Sequence, residues 1–438
     1  MNNREYAQKI FMEGISGVLP GKIINSVISV PGPVFRIKDL SFRFDDFKNI
    51  YVIGAGKASA AMAHYTEVKL KERITGGHIV VKYGHSCKLR KIKVTEAGHP
   101  VPDKHGFRAT AEIKELASNA SESDLVICLI SGGGSALMAD LPEGLLPEEL
   151  YIVNNLLVRC GAPINEINCV RKHLSEIKGG QLSRIVWPAI LVTIILSDVP
   201  GNPLDVIASG PTVPDPSTFS QALDIIEKYG LVPDLTAGVL RYLREGAAGM
   251  HPETPKEGDP IFSKTHNILA GTNSDALLSA ANYAADCGFD VKINADGLTG
   301  DVDSAARLIT GEALNIRNDK SVRKPACLLY GGETTVKVNG DGLGGRNQHL
   351  ALTAALRLEN MPGITLLSGG TDGNDGPTNA AGAVVDAETA CKAREAGIDP
   401  EKYLADFDSY NFFRAAGGHI ITGPTFTNVM DMAVVLVE

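Results

Sequence analysis

The sequence predicts an α/β protein, and three observations predict it. Apolar runs rich in branched residues recur at 125–130, 189–196 and 326–330, each too short for a helix of ordinary length. Such runs read as strands buried on both faces, as in a parallel sheet. Several of them empty into glycine-rich turns that helical periodicity then follows, the strand–turn–helix order of α/β folds.

Composition narrows the class. The 438 residues leave room for two or three domains, and 44% hydrophobic with 21% charged residues is an ordinary globular balance rather than that of a disordered chain. A net charge of −9, without a basic block, argues against nucleic acid as a partner. The seven cysteines are scattered and form no CxxC pair, and Cys128 and Cys327 lie inside apolar runs, as core residues do. The N-terminus lacks the apolar core of a signal peptide. The longest apolar segment, 185–196, is interrupted by Trp187-Pro188 and is too short to span a bilayer. A cytoplasmic protein with no membrane partner is expected; a homo-oligomer is compatible with all of this.

In chain order, Ala7, Ile10, Phe11, Ile15 and Val18 have helical spacing and predict a helix packed on the sheet. Strands are predicted at 35–42 and 48–53. The second opens into Gly54-Ala55-Gly56-Lys57 and an alanine-rich helix at 58–65. The turn superficially matches a dinucleotide fingerprint, but Ser59 replaces the third glycine, and the next strand, 78–82, ends in Lys82 where an acid would be needed. Lys57 sits at a helix start, where the dipole disfavours an ammonium; it either has an anionic partner or is a solvated loop lysine. His99, in EAGHPVPD, is held by two prolines and is either a hydrogen-bonding loop residue or part of a site.

The buried run at 125–130 ends in Ser131-Gly132-Gly133-Gly134-Ser135, with a helix predicted to begin at Ala136. Three glycines let successive backbone N–H groups converge on an anion at the carboxyl end of a strand. A tight turn is the alternative, but one glycine suffices for that. A helix is predicted over 147–160. The basic cluster Arg171-Lys172-His173 then reads as a solvated face, although the glycine pair behind Lys178 would let that segment close over an anion. The strand at 189–196 ends at Asp198, placed either to hold Mg²⁺ or to cap its own turn.

Residues 247–258, rich in glycine, proline and charge, read as a linker between domains 1–250 and 251–438. Beyond it, strands are predicted at 267–270 and 326–330, and a hairpin at 334–342 around Asn339-Gly340. Arg346 opens a helix, again a cation set against the dipole, with a fork suited to a carboxylate or phosphate. Asp372 and Asp375, in a flexible acidic loop, offer hard oxygen ligands or simply form turns. Glycine-rich junctions, two cations and scattered carboxylates are the inventory that phosphoryl transfer requires. No GxSxG elbow, zinc spacing or Walker motif accompanies them.

VIGAGKASAAMA, EAGHPVPD, LISGGGSALM, LSEIKGGQLS, LSDVPGNPLDVIASGPT, GGETTV, GLGGRNQ, SGGTDGNDGP and TGPTFTN together resemble the class II glycerate kinase (MOFRL) family, in that family's order. The resemblance implies an ATP-dependent kinase that forms 2-phosphoglycerate from D-glycerate with Mg²⁺ or another divalent cation. It further implies a Rossmann-like N-terminal α/β/α domain with a mostly parallel sheet and a C-terminal MOFRL domain with a mixed sheet, the active site lying in the cleft between them. The family's active-site lysine falls on Lys57 and its arginine on Arg346; Phe426 and Met430 depart from the usual smaller or polar residues.

For that chemistry, Ser131, Gly132, Gly133, Gly134 and Ser135 are expected to bind nucleotide phosphate, and Arg346 and His99 the acceptor. Lys57 is expected to stabilise the transferring phosphoryl group or to act as a base, and Asp198 and Asp372 to hold the metal. A hydroxypyruvate reductase is the alternative, opposed by Ser59 and Lys82. A non-catalytic sugar-phosphate-binding module is a third reading, since GAGKAS also resembles the loops of sugar-isomerase-type domains, but it leaves the second glycine-rich region without a task.

Overall fold

A computed structural model describes residues Met1–Glu438, which fall into two units: Ile24–Ala270, and Met1–Ile23 together with Gly271–Glu438. In the first unit a small antiparallel sheet comprises β1 (Ile28–Ser29), β2 (Val34–Ile37) and β3 (Leu40–Arg43). The single strand expected at 35–42 is thus two. Lys38 takes a positive φ of 53° and reverses the chain, while Phe35 stacks on Phe44 with ring centroids 4.6 Å apart.

The main sheet of this unit contains β4 (Asn49–Ala55), β5 (Gly76–Lys82), β6 (Ile92–Ala97), β7 (Asp124–Ile130), β8 (Ile190–Leu196) and β9 (Thr265–Gly271), in the order β6-β5-β4-β7-β8-β9. The strands from β6 to β8 run parallel. Every residue of β7 is buried, as its apolar run requires of a central parallel strand. The chain steps from β4 outward through β5 to β6, then returns to lay β7 on the other side of β4. That reversal makes the carboxyl ends of β4 and β7 a topological switch point, where open α/β sheets place their ligands.

The second unit has β10 (Asp290–Leu298), β11 (Ala326–Gly332), β12 (Ile364–Gly370), β13 (Gly382–Asp386), β14 (His419–Ile420) and β15 (Asp431–Val437), in the order β10-β11-β15-β12-β13-β14. Only β10 and β11 pair in parallel; the other pairs are antiparallel, so the sheet is mixed as expected. Asp431, the first residue of β15, is in register with Gly332 at the end of β11 and Gly370 at the end of β12.

The division between units departs from the expected one. The N-terminal helix Asn3–Gly17 buries Ala7, Ile10, Phe11 and Ile15 among Leu277, Leu329, Leu367 and Val434 of the second unit. The stretch 247–258 is no linker: Glu253 accepts the Phe219 amide at 2.8 Å, Thr254 donates to the buried Asp215 at 3.0 Å, and β9 still belongs to the first sheet. The boundary therefore falls at 270/271 rather than 250/251. The hairpin expected at 334–342 is also absent. Thr335 forms an isolated parallel bridge with Asp301, and the Gly342 amide donates instead to the Asp406 carbonyl at 3.0 Å. No helix is long and apolar enough to cross a membrane, and all the cysteines are free.

Candidate active site

Both loops at the switch point are glycine-rich, and they are welded together. Gly56 has a φ of 141°, and a Cβ there would lie 2.1 Å from the Ser131 hydroxyl, so only glycine lets the turn after β4 approach the turn after β7. The Lys57 amide donates to the Gly132 carbonyl at 2.9 Å. The Ser131 hydroxyl accepts the Ala58 amide at 3.0 Å and lies 3.1 Å from the Ser59 hydroxyl, which also reaches the Leu129 carbonyl at 3.1 Å. Ser59 therefore fastens its helix, Ser59–Leu70, to β7, where a dinucleotide fingerprint would have glycine.

Those bonds revise the expected cradle. Ser131 is buried and its hydroxyl is engaged within the fold, so it positions the loop rather than facing a ligand. The helix that follows is a single turn, Gly134–Leu137, so a helix dipole adds little. The Gly134 amide donates back to the Ser131 carbonyl at 3.2 Å, whereas the turn's backbone bonds leave the amides of Gly132, Gly133 and Ser135 over for an anion. Gly133 is left-handed (φ 82°), and a Cβ there would meet the His99 ring at 2.8 Å.

His99 consequently lies over the cradle. Burial, and then the positive charges of Lys57 and Lys82, push its pKa down to about 4. At neutral pH it is an uncharged hydrogen-bonding group. The unfolded imidazole binds a proton near 6.5 and the folded one only near 4, so stability falls as pH drops through that interval. Replacing His99 by Gln is expected to flatten the fall in melting temperature between about pH 6.5 and 4, and thermal melts across that range measure it. His78, also held near 4, adds slope of the same sign in both proteins, and Asp375, raised to about 6, adds slope of the opposite sign in both.

The predicted basic cluster is not a solvated face. Lys172 is buried with Asp215 at 3.2 Å, and His173 bonds the Cys169 carbonyl at 2.7 Å and Glu253 at 3.2 Å. Arg171 instead lines a cavity of about 250 Å³ with His99, Gly133, Ser135, Asp140 and Lys178. Ser135 lies 2.8 Å from Ser209, hydroxyl to hydroxyl. Ala208, Ser209 and Gly210 all have positive φ (50°, 61° and 59°), a strained segment against the cradle. Asp198 follows β8, the strand beside β7.

The other predicted residues belong to the second unit. Arg346 opens the helix Arg346–Arg357, and its guanidinium is already engaged by carboxylates. Nε and Nη2 donate to Asp431 at 2.5 and 3.0 Å, and Nη1 pairs with Glu333 at 2.7 Å. The bidentate edge expected to take a substrate carboxylate thus holds a carboxylate of the chain. Burial raises the Asp431 pKa, while Arg346 opposes that shift. Asp375, read as a metal ligand or a turn residue, instead caps this helix: it is buried and accepts the Asn347 and Gln348 amides at 3.1 and 2.8 Å. Burial pushes its pKa up to about 6. Asp372 follows β12 and is half-buried. No three histidine, cysteine or acidic side chains are grouped to hold a metal ion.

Comparison with known proteins supplies the context. A family model described as a domain of unknown function (DUF4147) matches residues 6–244, and the MOFRL family model matches residues 326–431. A Thermotoga maritima protein named D-glycerate 2-kinase is 42% identical over 89% of this chain and 90% of its own length. An Agrobacterium vitis protein named putative hydroxypyruvate reductase is also 42% identical, over 88% of this chain and 86% of its own. The crystal structure of a glycerate kinase from Thermotoga maritima superposes with a TM-score of 0.88 at 39% identity, covering 99% of both chains.

Proposed function

We propose, from the premise that the chain belongs to the class II glycerate kinase family, that it transfers the γ-phosphoryl group of ATP to D-glycerate, giving 2-phosphoglycerate and ADP. The observation that carries the reading is the pairing of two glycine-rich turns, one bearing Lys57 and the other offering unspent amides, at the switch point of a parallel sheet. Phosphoryl transfer asks mainly for positioning and for charge stabilisation. Backbone amides of Gly132, Gly133 and Ser135 would hold phosphate oxygens, and Lys57 would stabilise the group in transfer.

A divalent cation fits this reading as a companion of the nucleotide. The chain groups no three ligating side chains, and Mg²⁺ is commonly held by one or two carboxylates together with substrate phosphates. Asp198, which follows β8 in the unit that carries the cradle, is the proposed carboxylate; when bound, the ion would neutralise phosphate charge.

A relative's name keeps a hydroxypyruvate reductase in view, but β5 ends in Lys82, which cannot accept a ribose hydroxyl as an acidic residue would. One pair of assays separates the two. ADP release that depends on D-glycerate is expected from the purified protein with ATP and Mg²⁺. NADH consumption with hydroxypyruvate, without ADP formation from glycerate, would overturn the kinase.

A further inference from the structure

The cation at the cavity without a carboxylate partner is Arg171. Its Nε donates to the Asn154 side-chain oxygen at 2.7 Å, which fixes the plane of the guanidinium, and both residues line the cavity. Burial alone perturbs it, lowering its pKa; no acidic neighbour pulls the other way. Other buried cations are matched: Lys172 by Asp215 at 3.2 Å, Lys178 by Asp140 at 3.5 Å and by the Met138 carbonyl at 2.8 Å. A partly desolvated, unpaired guanidinium is costly unless something brings it an anion.

We propose that this cavity is the acceptor's subsite and that Arg171 receives the carboxylate of D-glycerate there, an assignment that rests on the kinase reading above. Charge supports it. Arg171 is positive, the Lys178–Asp140 pair is neutral whichever partner holds the proton, and His99 is neutral, so the walls carry one net positive charge. Asp140 is itself engaged by the Ser175 hydroxyl at 2.5 Å and the Glu176 amide at 2.6 Å. A monoanion balances such a cavity; a triphosphate does not.

Size agrees. The cavity's 250 Å³ lies below the range of roughly 300–1,000 Å³ that encloses drug-sized ligands, and suits a three-carbon acid better than a nucleotide. Position agrees as well. Gly133 and Ser135 belong both to this cavity and to the cradle, so an acceptor held by its carboxylate at Arg171 presents its hydroxyls beside the phosphate site. The Nη edge of Arg171, with Nε already engaged by Asn154, has the geometry for two parallel bonds to a carboxylate.

The test is steady-state kinetics on the purified full chain. Arg171→Met is expected to raise the glycerate KM by about 10- to 100-fold and leave the ATP KM within about twofold, with Arg171→Lys intermediate. The preference for D-glycerate over its neutral amide should collapse in Arg171→Met, a readout that a merely structural arginine would not move. Should that variant fail to fold, Ala136→Leu, which fills the cavity from another wall, is expected to raise the glycerate KM by itself. Glycerate-dependent ADP release by the wild type with an unchanged glycerate KM in the folded variants overturns the subsite and leaves the kinase standing. A rise confined to the ATP KM also overturns it, assigning the cavity to nucleotide phosphate. No glycerate-dependent ADP release from the wild type defeats the kinase reading and this inference with it.

Discussion

Replacing Lys57 by Met is expected to lower turnover by on the order of a hundredfold or more while D-glycerate and ATP still bind. The backbone around Lys57 is over-determined: its amide is held by the Gly132 carbonyl at 2.9 Å, its carbonyl lies 3.1 Å from His85 Nδ1, and the helix behind it is fastened through Ser59. Loss of the ammonium should therefore leave the backbone of the loops in place. A cation that acts on the group in transfer matters more in the transition state than in the ground state, so kcat falls and KM moves little. Lys57→Arg, which keeps the charge but spreads it over a planar group, is expected to recover part of the rate. Thermal shift with each substrate checks binding, and coupled ADP release checks turnover. A loss of less than about tenfold would remove Lys57 from the chemistry.

The parallel sheet and both loops at its switch point were legible in the sequence because their signals are local. Six consecutive buried apolar residues in β7, Leu125 to Ile130, leave a continuous apolar run, and strained or crowded turns leave glycine. What escaped depends on partners distant in the chain. The N-terminal helix shows the same stripe whichever sheet it covers, so Phe11 could not announce that it packs in the second unit. Residues 247–258 have a linker's composition, yet their polar groups are bonded to Phe219 and Asp215. Ser131 looked like one more member of a phosphate loop, because nothing nearby in the chain reveals the amide it accepts from Ala58. The three members of the basic cluster share one helical segment and meet three different fates, which only the neighbours of Arg171, Lys172 and His173 decide.

Arg346 offers the sharpest divergence between the two levels, and it yields a stability prediction. Read alone, its fork at a helix start asks for an anionic ligand; in the fold, Asp431 and Glu333 are that ligand. Asp431 is fully enclosed, and with Asp375 also buried near the same helix start, removing the guanidinium leaves acidic groups with no counter-charge. Arg346→Met is therefore expected to destabilise the second unit by about 3 kcal/mol, the low end for a broken buried pair because the arginine itself is one-third exposed. Its cost should grow as pH rises, since Asp431 must then ionise without help. Adding Asp431→Asn removes the stranded charge and is expected to restore a large part of the loss, so the two substitutions should be strongly non-additive. Denaturant unfolding of the wild type, both single variants and the double variant measures this coupling. If Arg346→Met instead unfolds at the wild-type midpoint and changes only the glycerate KM, the fork exchanges Asp431 for substrate during turnover, and the acceptor's carboxylate belongs to Arg346 rather than to Arg171.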